Sequence, residues 1–153
     1  MSAAKKLLQS LYFEVIPMKG FEEKLDVLKA GDRVGITCSP KQGLQVTLDT
    51  VAKLSDRGFS LTPHLAARQI MNKQHLREIV SQLTDSGISS IFVPGGDLDE
   101  PMGDYDSSAA VLRDLAEMEH PFTRIGVASY PEGHPAISDD ILFEALSAKQ
   151  GIA

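Results

Sequence analysis

Polar side chains of acid, hydroxyl, imidazole and phenol type stand at the ends of successive apolar runs in this chain. Glu14 lies in Leu-Tyr-Phe-Glu-Val-Ile-Pro, Thr37 in Val-Gly-Ile-Thr-Cys and His64 in Leu-Thr-Pro-His-Leu. Asp97 follows Ile-Phe-Val-Pro-Gly-Gly, and Tyr130 and His134 fall in Gly-Val-Ala-Ser-Tyr-Pro-Glu-Gly-His-Pro. Glu14 sits between Phe13 and Val15, where an unpaired carboxylate has no favourable place. Burial there predicts a raised proton affinity, which suits a general acid near neutrality. Gly95 and Gly96 before Asp97 permit close approach of backbone to a ligand. Read from the residues alone, His64 fits a satisfied core histidine better than a ligand contact, and Glu132 and His134 fit an ordinary turn built on Pro131 and Pro135.

The runs that carry these residues read as strands alternating with amphipathic helices. Strands are expected over 11–16, 33–38, 59–65, 88–93 and 124–130, and helices over 21–30, 44–55, 73–84, 107–118 and 137–149. Leu76, Ile79, Val80 and Leu83 have the spacing of one buried helix face. Gly31, Gly58 and Gly87 are placed as helix stops. In a parallel α/β fold the strand C-termini share one side, so polar residues ending the strands converge on one site. The prediction is that Glu14, Thr37, His64, Asp97 and Tyr130 line a common cavity.

The 153 residues are enough for a single domain with a real core, with no internal boundary expected. A net charge of −6 argues against a nucleic-acid footprint. The basic start, Lys5 and Lys6, has no long apolar segment behind it, and no run approaches the roughly 20 apolar residues that span a bilayer. The single cysteine, Cys38, excludes an internal disulfide, fits a reducing cytoplasm and reads as a packing residue. The histidines His64, His75, His120 and His134 show no zinc-ligand spacing, so no metal is expected, and His75 and His120 read as surface residues. No Gly-x-Gly-x-x-Gly follows the first strand.

Five β/α units fit two architectures. A five-stranded doubly wound sheet suits the length. A (β/α)8 barrel takes about 250 residues, of which this chain would be the first five units. A functional residue at every strand end favours the partial barrel, with the doubly wound sheet as the alternative.

The stretches Phe13-Glu14, Thr62-Pro63-His64-Leu65, Gly87-Ile88 leading to Gly96-Asp97, and Tyr130-Pro131-Glu132-Gly133-His134-Pro135 make the chain resemble the N-terminal part of a methylenetetrahydrofolate reductase. The resemblance implies a (β/α)8 barrel, a place in one-carbon metabolism and methionine biosynthesis, and reduction of 5,10-methylenetetrahydrofolate to 5-methyltetrahydrofolate. It implies FAD, reduced by NADH or NADPH. Glu14 matches the acid that protonates the folate, and Asp97 the carboxylate that contacts the pterin. Thr37, His64, Gly96, Tyr105, Tyr130 and His134 match cofactor-contacting positions, and Lys149, across a one-residue gap, a basic residue serving the flavin diphosphate.

The chain departs from the family's pattern. Pro94-Gly95 stands where an arginine precedes Gly-Asp, and helix five offers Leu142, Phe143 and Ala145 where polar flavin contacts are usual. These departures point away from tight FAD binding and toward flavin-independent members that use the nicotinamide directly. Strands six to eight and the family's substrate-binding glutamine have no counterpart. The rival expectation is a non-catalytic folate- or methyl-carrier-binding subunit that needs another chain, a homo-oligomer partner or the remaining barrel portion, to finish the site.

Overall fold

A computed structural model of the chain describes residues 7, 11–135 and 137–153; Lys5 and Lys6 lie outside them. Strands β1 (Tyr12–Val15), β2 (Arg33–Ile36) and β3 (Ser60–Pro63) pair in parallel in that order. Strands β4 (Ser90–Val93) and β5 (Arg124–Val127) form a second parallel pair. A parallel bridge between His64 and Phe92 joins the two groups. Above it, Leu65 N–H donates to Phe92 O at 2.8 Å and Ala67 N–H to Pro94 O at 2.9 Å. The described strands therefore follow chain order, without the reversal that a doubly wound sheet requires. β1 and β5 are not paired with each other, so the sheet is open.

Alternation along the strands separates two faces. Val34, Ile36, Leu61, Ile91 and Val93 are buried in the core. They share it with Leu48, Val51 and Leu54 of α2 (Leu44–Leu54), Leu76, Ile79 and Leu83 of α3 (Lys73–Asp85), and Val111, Leu112 and Leu115 of α4 (Ser108–Ala116). The alternate residues, Tyr12, Glu14, Arg33, Thr62, His64, Ser90, Phe92 and Arg124, line the opposite face. On β4, Ser90 and Phe92 belong to this second face.

Two expected helices are shorter than the sequence implies. α1 (Phe21–Lys24) passes into a 3₁₀ turn, Leu25–Val27, and stops before 30. Asp32 Oδ2 accepts the Lys29 N–H at 2.8 Å, taking a donor that a continuing helix needs. α5 covers Asp139–Ser147 rather than 137–149 and has no buried residue. β5 ends at Val127, so Tyr130 lies in the turn beyond it. α3 starts on a reciprocal cap: His75 N–H donates to Asn72 Oδ1 at 3.0 Å, and Met71 N–H donates to His75 Nδ1 at 3.1 Å. His75 is thus a capping residue and not a bare surface one.

Candidate functional site

The sheet face away from the helices forms a groove of 540 Å³ lined by Tyr12, Glu14, Arg33, Thr62, His64 and Phe92 among others. Glu14 points into it together with Tyr12, two residues before, while Val15 on the alternate side packs against the core. His64 reaches it from the residue just after β3. Glu14 Oε1 and His64 Nε2 are 3.9 Å apart. The His64 side chain is 12% exposed and that of Glu14 58% exposed. The Glu14 carboxyl is therefore not buried as its apolar neighbours implied, because no described element covers this face. Burial holds the His64 imidazole below its ordinary proton affinity, and the nearby Glu14 carboxylate opposes that shift.

Below this pair a row of hydroxyls crosses the sheet. The Tyr12 side chain reaches over β2 at Gly35 and hydrogen-bonds the side chain of Thr62. Thr62 Oγ1 donates to Ser90 Oγ at 3.2 Å. Desolvation raises the Tyr12 phenol's pKa; the Thr62 bond opposes the rise. Sequence reasoning missed Tyr12, Thr62 and Ser90. The signal was the two-residue period: Tyr12 precedes Glu14, and Thr62 precedes His64, by one alternation.

The other expected residues lie elsewhere. Thr37 donates its hydroxyl to Val15 O at 3.1 Å and does not line the groove. Asp97 is exposed in the loop after β4, also outside the groove lining. That loop is held by Arg68, whose guanidinium donates to Leu98 O at 2.7 Å and Asp106 O at 3.0 Å. Gly96 has φ 95°, and a Cβ there would sit 3.1 Å from the Ala66 Cβ. Tyr105 turns into the helix layer, 4% exposed, where its hydroxyl donates to Asp114 Oδ2 at 2.7 Å. Of the five residues expected to converge, the groove thus brings together Glu14 and His64.

Tyr130 and Lys149 line a separate cavity of 610 Å³ between the loop after β5 and α5. The Tyr130 ring meets His134 edge-on at 5.1 Å. Lys149 is buried, and its Nζ donates to Ala128 O at 3.4 Å; desolvation lowers the ammonium's pKa. The α5 wall of this cavity is Leu142, Phe143, Ala145 and Leu146, with Asp139 at its start. Cys38 is partly buried against the core, and burial pushes its thiol pKa up, as befits a packing residue. Among the described residues no group of three or more His, Cys, Asp or Glu side chains could hold a metal ion. Among them, too, no helix is long and apolar enough to cross a membrane.

No protein-family model matches the chain. It is 40% identical over 78 residues to a 5,10-methylenetetrahydrofolate reductase of Pectobacterium carotovorum subsp. carotovorum. The match covers 51% of this chain and 26% of that protein, so the chain spans about a quarter of its relative's length. Over that half of its length the chain is similar to this named reductase, which supports a partial relationship to methylenetetrahydrofolate reductases.

Proposed function

We propose that the chain is part of a cytoplasmic oxidoreductase that reduces 5,10-methylenetetrahydrofolate to 5-methyltetrahydrofolate with NADH or NADPH. We read its five parallel strands as the first five of a (β/α)8 barrel, the groove being the barrel's inner wall. The observation that carries the reading is the Glu14–His64 pair at 3.9 Å, set where strand ends meet an open polar face. The similarity to a named methylenetetrahydrofolate reductase supports it.

In this reading the Glu14 carboxyl gives its proton to the folate nitrogen that leaves the methylene carbon. The ring opens to an iminium on the other nitrogen. A bound NADH or NADPH would supply the hydride that makes that carbon the methyl group, and would leave oxidised. His64, 3.9 Å from Glu14, offers a second polar contact to the substrate. Asp97 binds the pterin edge from its loop.

FAD does not fit the residues present. Thr37 and Tyr105, two of its expected contacts, have their hydroxyls engaged inside the protein. Beside Lys149 the α5 wall offers Leu142, Phe143, Ala145 and Leu146, its one polar lining residue being the acidic Asp139, which suits no flavin phosphate, and Arg68 is tied to loop carbonyls. In this reading the nicotinamide is itself the hydride donor.

The test is Glu14→Gln, which keeps shape but has no carboxyl proton. Folate turnover should fall by about 10²–10⁴-fold, with nicotinamide binding nearly unchanged. Turnover at the wild-type level would remove Glu14 from the chemistry. The 58% exposure of Glu14 favours one second reading, a folate-binding subunit whose groove another chain covers. Folate binding by the wild-type protein without turnover, with turnover restored by a partner, would select that reading.

A further inference from the structure

The groove holds two aromatic rings built in the same way. The Tyr12 ring lies across β2 at Gly35, where a Cβ would collide with the phenol. The Phe92 ring lies across β5 at Gly126, its register partner, where a Cβ would sit 3.0 Å from the ring. Glycine inside a strand weakens it, and commonly marks a place where another group must come close. Here the close group is a ring in both cases. Tyr12 is fixed at its far end by Thr62, and Phe92 is flanked by the His64 ring, 4.8 Å away and tilted by 54°. Tyr12 remains 40% exposed, and both rings line the groove. Each ring thus has glycine behind it and lines the groove, Tyr12 below the Glu14–His64 pair and Phe92 beside the His64 ring.

We propose that Tyr12 and Phe92 are stacking platforms that admit a flat heteroaromatic ring to the groove and set its position against Glu14 and His64. Aromatic faces attract flat rings in offset or edge contacts, and a ring held by its neighbours loses little freedom on binding. The proposal rests on the folate reading of the groove and names the pterin ring as the occupant. Tyr12 and Phe92 are positioning residues: they hold the ring, and Glu14 acts on it.

Folic acid and NADH serve as probes of the pterin and nicotinamide rings, with affinities measured by equilibrium dialysis. Tyr12→Leu and Phe92→Leu should each weaken folic acid binding by about two- to tenfold. Tyr12→Phe keeps the ring and should bind within about twofold of wild type. The chain has no tryptophan and three tyrosines, so its intrinsic emission comes from Tyr12, Tyr105 and Tyr130. Quenching by folic acid should shrink in Tyr12→Phe although affinity is kept, which a merely structural Tyr12 would not produce. Loss confined to NADH supports the platforms but gives them to the nicotinamide. Unchanged affinity for both probes in both leucine variants, or unchanged quenching in Tyr12→Phe, overturns the proposal while leaving the folate reading intact. A wild-type protein that binds neither probe sinks the folate reading and the platforms with it.

Discussion

Helices α3 and α5 carry apolar residues at helical spacing, yet α3 buries Leu76, Ile79, Val80 and Leu83 and α5 buries none. α3 lies on the hydrophobic face of the sheet beside α2 and α4. α5 follows β5, the open edge, and leaves Ile141, Phe143 and Leu146 exposed. The apolar stripe gives a helix the means to pack, but packing also requires a neighbour. The same contrast separates the two cavities: the groove rests on strands tied into the core, whereas the Lys149 cavity has α5 for a wall.

The largest effect that tests this contrast is on stability. Leu76→Ala removes a side chain packed in the core and should cost about 2–5 kcal/mol. Leu142→Ala and Phe143→Ala remove side chains of a helix with no buried residue, and should stay within about 0.5 kcal/mol. Urea unfolding of the three variants compares them directly. A cost for Phe143→Ala as large as that for Leu76→Ala would mean that α5 is covered in solution, and the contrast would fail.

Two tyrosines sharpen the same comparison at a smaller scale. Tyr105 donates to Asp114, and Lys73 also meets Asp114 at 3.1 Å, joining α3 to α4. Tyr130 beside α5 is exposed. Tyr105→Phe should lose about 1.5–3 kcal/mol, as for a hydrogen bond to a charged group, and Tyr130→Phe about 0.5 kcal/mol or less. The Tyr105 bond should also show in pH. Asp114 has its carboxyl pKa lowered, first by the Tyr105 hydrogen bond and then also by Lys73, against the opposing effect of burial. Its contribution is present above the ordinary carboxyl range and is lost as pH falls through the lowered value. Tyr105 is shifted upward, first by burial and then by the Asp114 bond, so its contribution is full below pH 10.0, the ordinary tyrosine value, and is lost at higher pH. Stability of wild type that falls at neither extreme relative to Tyr105→Phe would count against the bond.

The strand and helix sequence was legible because period-2 and period-3.6 patterns are local. Leu76, Ile79, Val80 and Leu83 were found as one buried face for that reason. The length of α1 was not legible, since its end depends on Asp32 reaching back to a backbone donor. The site was legible in part. Glu14 and His64 stand out by type, but their partners Tyr12 and Thr62 look like ordinary strand residues. What links those two is a ring crossing a neighbouring strand at Gly35, a contact between segments about 50 residues apart along the chain. Tyr105 was placed beside the cofactor by its loop, yet its side chain turned inward because Asp114 on α4 offered an acceptor.

The smallest effect concerns His64, where groove and core meet. Its imidazole is displaced downward in proton affinity, mainly by burial, with the Glu14 carboxylate acting the other way. NMR titration should therefore place the His64 midpoint below 6.5, the ordinary histidine value. The sign for stability follows: above that value folded and unfolded chains both hold a neutral ring, and nothing is lost. As pH falls through the ordinary value toward the lowered one, the unfolded chain takes up a proton that the folded chain resists, and stability declines. Glu14→Gln removes the opposing carboxylate while leaving the burial in place, so the midpoint should move further down and the acid loss should begin no later than in wild type. The exposed side chain of Glu14 keeps the shift small, because water screens a pair at 3.9 Å. A midpoint that rises in Glu14→Gln, or does not move, would show that the carboxylate is turned away from the ring in solution. The groove would then lose the pair on which its chemistry is argued, while the α3 side of the molecule would be untouched.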